Sequence, residues 1–131
     1  MRILEDGSHT GHRLALLEAT LPPGPSGPPQ HVHHEHDEVF IVTAGTVRFT
    51  SGDKHFDAEA GTVVVVPIDV PHTFSNPFEQ TAAFIGTLTP DLYVQYFRDL
   101  SKLPLNDQGR LNPTDVARTM SRYATEVVHR A

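Results

Sequence analysis

From residue 31 to residue 38 the chain reads His-Val-His-His-Glu-His-Asp-Glu, and six of its nine histidines fall between His31 and His72. Neutral imidazole is the commonest metal ligand in proteins, so spacing decides whether this density carries chemistry. His31 and His33 are two residues apart, and on a β-strand both side chains leave the same face. After a gap of four residues, Glu38 starts an alternation with Phe40 and Val42 that puts all three on one inward face. An ionised carboxylate buried alone is costly, and a cation beside it removes that cost. Two imidazoles and one carboxylate thus converge as three metal ligands. His72, in phase with Phe74, is the fourth candidate. Taken alone it reads as a core histidine bonded to a carbonyl; taken with the upstream cluster it reads as a ligand.

The remaining polar residues near the cluster weigh differently. His34 is out of phase, and His34 and Asp37 read as a solvated turn. A shifted register would place His36 on the metal instead of His31. His9, His12, His55 and His129 have no partner at ligand spacing and read as ordinary surface histidines.

The elements that must position these side chains are short strands. Residues 12–21 read as a strand leading out of a loose N-terminal segment. Residues 22–30 hold five prolines and two glycines and form an extended loop rather than a helix. Strand-like runs follow at 31–33, 38–43, 46–50, 54–57, 62–66, 72–75 and 81–88, separated by turn signals such as Ala44-Gly45 and Asn76-Pro77. Such spacing predicts an antiparallel sandwich or barrel. After Thr89-Pro90 the period changes. Residues 91–103 carry Leu92, Tyr96, Leu100 and Leu103 at helical spacing with Phe97 beside them. A second helix is predicted to begin after the N-cap Asn112, with Pro113 at its first position and Val116, Met120, Tyr123 and Val127 on one face.

Composition bounds what such a chain does. It has 131 residues, 38% apolar and 20% charged, which predicts one globular domain over 1–131: a β core at about 12–88 and a helical appendage at about 90–131. Without cysteine, disulfides, thiolate metal sites and Cys nucleophiles are excluded. The first residues lack the apolar stretch of a signal peptide, and no apolar run approaches the ~20 residues of a membrane span. Cysteine-free composition and the missing leader suggest a cytoplasmic setting. The formal charge of −6 and the absence of a Lys/Arg cluster argue against nucleic acid or an anionic membrane as partner.

The motifs resemble those of the cupin superfamily. The first cupin motif has the form H-x-H, three or four residues, E, six residues, G, and His31, His33, Glu38 and Gly45 fit it. A glycine usual six positions before the first histidine is Pro25 here. The second motif runs G, five residues, P-x-G, two residues, H, three residues, N, and Gly61, Pro67, His72 and Asn76 fit, with Asp69 in place of the middle glycine. That glycine usually adopts positive φ, which Asp tolerates better than most residues. The resemblance covers roughly residues 28–88. The wider sequence, including the aromatic-rich stretch after Thr89-Pro90, is similar to small cupins resembling quercetin 2,3-dioxygenase.

This resemblance implies an all-β fold, a double-stranded β-helix or jelly-roll barrel, with the two C-terminal α-helices appended. It implies one divalent transition metal ion (Fe, Mn, Ni, Cu or Zn) on His31, His33, Glu38 and His72, the same set reached from strand phase. It also implies a small-molecule substrate and a homodimer. The activity expected first is a metal-dependent oxidoreductase, a dioxygenase acting on a small aromatic or enol-type molecule, with Glu38 as a base as well as a ligand. The inward residues Phe40, Val42, Val47, Phe49, Phe74 and Phe84 are expected to line its pocket, with Arg48 facing out. An oxygen-independent isomerase or lyase on the same ligands, and a binding module without catalysis, are the alternatives, because one fold hosts many functions.

Overall fold

The computed structural model describes residues 1–24 and 27–128; Pro25 and His129, both discussed above, lie outside the described residues. The strands are β1 (Arg2–Glu5), β2 (Ala15–Leu21), β3 (His31–His33), β4 (Asp37–Ala44), β5 (Thr46–Ser51), β6 (Lys54–Glu59), β7 (Val63–Val66), β8 (Thr73–Ser75), β9 (Ala82–Thr89) and β10 (Thr125–Val127). A single 3-10 turn, Asp91–Tyr93, leads into helix α1 (Val94–Leu100), and helix α2 spans Pro113–Ser121. One sheet has the order β1-β2-β9-β4-β7, a second β6-β5-β8, and β10 pairs with β3. All pairings are antiparallel. Two backbone bonds between His31 and His72, at 3.0 and 2.9 Å, tie the β3 pair to the strand that becomes β8.

Period-two alternation makes the core. Glu38, Phe40 and Val42 of β4, and Ala82, Phe84 and Leu88 of β9, are buried while their neighbours lean outward. Val47, Phe49 and Ala58 come from β5 and β6 to meet them. β7 is apolar throughout yet only Val64 and Val66 are buried; Val63 and Val65 stay 58% and 62% exposed. The antiparallel sheets agree with the sandwich or barrel predicted from strand spacing and with the jelly-roll class that the resemblance implied. No helix of the described residues is long and apolar enough to cross a membrane.

Two turns carry the sharpest local demands. Gly45 joins β4 to β5 at φ +66, and a Cβ there would lie 2.7 Å from the Thr81 carbonyl oxygen. Asp69, standing where the motif usually has glycine, adopts φ +68. Its amide donates to the His33 carbonyl at 2.8 Å, so this turn is fastened to the histidine strand. Asn76 of the same motif is completely buried. Its Nδ2 donates to the Leu21 and Gln80 carbonyls at 2.9 and 2.8 Å, and its Oδ1 accepts from the Phe78 amide at 3.1 Å.

The ends of the chain differ from the sequence expectation. The segment expected to be loose before residue 12 contains β1, whose Ile3 packs against the core while β1 pairs with β2 across an irregularity between Ile3 and Glu5. The first C-terminal helix is shorter than 91–103, and the 3-10 turn shifts its phase. Tyr93, Tyr96, Phe97 and Leu100 form the inward stripe, while Leu92 is 43% exposed. The second helix stops at Ser121. Ala124 takes φ +50, and Thr125–Val127 extends to form β10. The β-branched residues Thr125, Val127 and Val128 favour extended backbone, and β3 offers an unpaired edge to receive them. Tyr123 and Val127 still pack on the core, but from a turn and a strand.

Asn76→Ala removes three hydrogen bonds made by a completely buried side chain, the one to the Leu21 carbonyl fully buried and those to Gln80 and Phe78 partly so. It is expected to lower the unfolding free energy by about 2–4 kcal/mol, read as a shift of the urea midpoint at unchanged slope.

Candidate metal centre and cavity

β3 presents His31 and His33 to the interior, 4% and 2% exposed, with Val32 turned the other way. β4 brings Glu38 (6%) from the facing direction, and the residue before β8 brings His72 (4%). The ring nitrogens of His31, His33 and His72 fall within 4.8 Å of one another, as do ligand atoms of His33, His36 and Glu38. His33 Nε2 lies 2.9 Å from Glu38 Oε1, and His72 Nε2 lies 3.6 Å from Glu38 Oε2.

The outer ring nitrogens fix the tautomers. His31 Nδ1 donates to the Pro29 carbonyl at 2.8 Å and His72 Nδ1 to the Val70 carbonyl at 3.0 Å. Carbonyls only accept, so both rings carry their proton on Nδ1. His33 Nδ1 lies 2.8 Å from Thr125 Oγ1, whose own proton goes to the Tyr123 carbonyl at 3.1 Å. Thr125 therefore accepts, and His33 is protonated on Nδ1 as well. Each Nε2 then turns a lone pair inward. The Nε2 atoms of His33 and His72 are buried and have no hydrogen-bond partner among the described residues.

A lone pair facing a carboxylate oxygen at 2.9 Å is repulsive unless positive charge sits between them. A proton is disfavoured there, since burial pushes His33 below its usual value and drives His31, with the adjacent His72 and His33 adding to it, down to about 3. Burial pushes the Glu38 carboxyl up, but the polar imidazole surroundings, with His36 Nε2 in hydrogen-bond contact at 3.3 Å, outweigh it and hold Glu38 well below the carboxylate range. An ionised carboxylate among neutral imidazoles fits a cation. Ligands about 2.1 Å from a shared ion stand about 3.0–3.4 Å apart in octahedral or tetrahedral arrangements, and the 2.9 and 3.6 Å separations of Glu38 from His33 and His72 bracket that span.

The other histidines separate as follows. His36 is buried beside Glu38 as well, with Nε2 3.3 Å from Glu38 Oε1 and its ring 4.1 Å from that of His33 centroid to centroid, so His33 is shared by two candidate groups, one with His31 and His72 and one with His36 and Glu38. His34 turns outward to Asp69 at 2.6 Å and Glu126 at 3.4 Å. Asp37 accepts from the Ile68 amide at 2.8 Å, which holds the turn before His72. His9 and His12 pair with Glu5 and Asp91 on the surface, and His55 is exposed.

A cavity of about 500 Å3 opens from this cluster, with His31 and Glu38 at its polar end. Phe40, Phe74 and Phe84 line it as expected. Val42, Val47 and Phe49 do not; they are buried deeper between the sheets, with the Phe49 ring 5.2 Å behind Phe40. Strand phase tells inward from outward but not distance along the sandwich, so inward-facing Val42, Val47 and Phe49 fill the core without reaching the cavity. The missing wall comes from the C-terminal elements, through Tyr93, Tyr96, Phe97, Val116 and Met120. Their helical apolar spacing was visible, but nothing local in the sequence says which surface it covers. Tyr93 is 2% exposed, its ring 4.5 Å from that of His33, and its hydroxyl has no partner in hydrogen-bond geometry among the described residues. Burial pushes the phenol of Tyr93 above its usual range and that of Tyr96 up to about 12, so both remain neutral donors. No lysine or arginine lines the cavity among the described residues; Arg48 points outward to Asp57 at 2.8 and 3.3 Å.

Comparison with known proteins agrees with this architecture. No curated protein matches the chain. Among solved structures, it is similar to a protein with a double-stranded beta-helix domain from Klebsiella pneumoniae (16% identity, 70% of this chain and 72% of that one, TM-score 0.61). It is similar to a predicted oxalate decarboxylase from Thermotoga maritima (21%, 66% and 75%, 0.60). It is also similar to a sugar phosphate isomerase of the cupin superfamily from Silicibacter pomeroyi (25%, 66% and 57%, 0.58). These likenesses carry the fold. The model of the Cupin domain family matches residues 17–88, more than half of the 131 residues, and the chain belongs to the cupin family.

Proposed function

We propose that this cupin is a metal-dependent oxidoreductase, a dioxygenase acting on a small, largely apolar aromatic or enol-type substrate. The observation that carries the reading is the pair of inward, unpartnered Nε2 atoms of His33 and His72 facing the ionised Glu38 at the floor of an apolar cavity. His31, His33, His72 and Glu38 are the residues to hold the ion, and His36 steadies Glu38 from the side. A divalent ion held by such nitrogen and oxygen donors supplies Lewis acidity and open positions, and Fe, Mn or Cu adds one-electron chemistry.

The chain's own groups account for the rest. Phe40, Phe74, Phe84 and Phe97 exclude water and select a flat, uncharged body. Glu38, ionised and at the cavity's polar end, is placed to accept a proton from a substrate hydroxyl. Tyr93, whose ring packs on that of His33 and lines the cavity, offers a neutral hydroxyl as hydrogen-bond donor to a substrate oxygen. A cavity with an ionised Glu38 and no lysine or arginine among its described lining residues disfavours a phosphorylated ligand of the kind named for the isomerase relative.

A second reading, an oxygen-independent isomerase or lyase, is favoured by Tyr93. A buried, neutral hydroxyl that donates a hydrogen bond to a substrate oxygen stabilises negative charge developing there without any need for oxygen. Oxygen-electrode and anaerobic assays of metal-loaded protein on flavonols, β-diketones and enols separate the two. Oxygen uptake supports the dioxygenase, turnover without oxygen supports the isomerase or lyase, and binding without turnover of either kind supports a binding module.

His33→Ala and His72→Ala are expected to lower bound metal at least ~100-fold in elemental analysis, while His34→Ala retains it. Equal loss in all three would reject the ligand assignment. Val116→Trp, which fills the cavity from α2, is expected to weaken binding of the neutral dye Nile red at least ~10-fold in a fluorescence titration while leaving metal content unchanged.

A further inference from the structure

The strand that carries two of the candidate ligands is only three residues long, and the last strand of the described chain borders it. β10 pairs with β3 in the register Thr125↔His33, Glu126↔Val32 and Val127↔His31. Two further bonds flank the pair: the His34 amide to the Ala124 carbonyl and the Val128 amide to the Gln30 carbonyl, each at 2.8 Å. On its other side β3 is held through the bonds between His31 and His72.

Within this pair one contact reaches the site. Thr125 is completely buried, and its hydroxyl accepts the His33 Nδ1 proton at 2.8 Å while giving its own proton to the Tyr123 carbonyl. His31 and His72 obtain the same orientation from backbone carbonyls two residues away. His33 obtains it from a side chain 92 residues further along. The segment that delivers Thr125 also delivers Val116 and Met120 to the cavity wall.

We propose that Thr125 is a positioning residue for His33, and that docking of the 113–128 segment on β3 is linked to metal binding, so that the cavity wall and the metal-ready ring of His33 are set by one event. This rests on the metal reading above. The physical basis is reciprocity: whatever affinity the ion gains from a docked β10, the docking of β10 gains from the ion. A hydrogen bond to the far nitrogen of a ligating histidine fixes its tautomer and ring orientation, and losing it typically costs 10–100-fold in metal affinity. Thr125→Val keeps the shape and removes the acceptor, whereas Thr125→Ser restores it.

The test is a Mn2+ titration by calorimetry on the full chain, with amide hydrogen exchange of residues 125–128 followed with and without saturating Mn2+. The expected result is a ~10–100-fold weaker affinity in Thr125→Val, an affinity within ~3-fold of wild type in Thr125→Ser, and slower exchange at 125–128 in wild type once Mn2+ is bound. Wild-type affinity in Thr125→Val, or exchange at 125–128 unmoved by Mn2+ in wild type, overturns the linkage and leaves the metal reading standing. A wild-type chain that binds no Mn2+ overturns both. Should Thr125→Val fail to fold, the Ser variant and wild-type exchange decide: a ~10-fold loss in Ser or unchanged exchange rejects the proposal.

Discussion

A carboxylate sits in the interior of this protein with imidazoles around it and, among the described residues, no arginine or lysine paired with it. Glu38 is on the inner face of β4, between β7 and β9, whose buried side chains (Val64, Val66, Ala82, Phe84 and Leu88) are all apolar. Removing an ionised group from water is among the largest single penalties a fold accepts, so the surroundings of Glu38 have to be arranged with corresponding care. β3 must place His31 and His33 on one face, the turn through Asp69 must hand over His72, and Asp37 must hold that turn in place. The backbone bonds between His31 and His72, and between Asp69 and His33, lock these three requirements together.

Much of this was legible because it is written in short-range spacing. The two-residue step between His31 and His33 and the phase of Glu38 with Phe40 and Val42 are strand geometry. Asp69 in place of glycine was expected to take a positive φ, and it does. Gly45 marks a turn that a side chain would obstruct. Asn76 was visible as a motif position, while its role in bonding three backbone groups was not.

What was not legible depends on pairings far apart in the chain. α2 ends at Ser121 because the following residues find an open strand edge, and helical apolar spacing continues past that point without any local stop signal. The inward stripe of α1 begins at Tyr93 rather than Leu92 because a 3-10 turn precedes it. Phe40, Phe74 and Phe84 reach the cavity while Val42, Val47 and Phe49 do not, a distinction of depth that alternation cannot express. Thr125 had no feature to single it out among ordinary threonines.

The 92-residue separation between His33 and Thr125 has a kinetic meaning. Contacts of such long range form only after a large loss of chain entropy, and folds rich in them assemble slowly. During synthesis the two histidines of β3 leave the ribosome long before the residue that orients one of them. Until then His33 is free to carry its proton on either nitrogen, and a nascent chain with every candidate ligand already made still lacks the arrangement seen in the finished molecule.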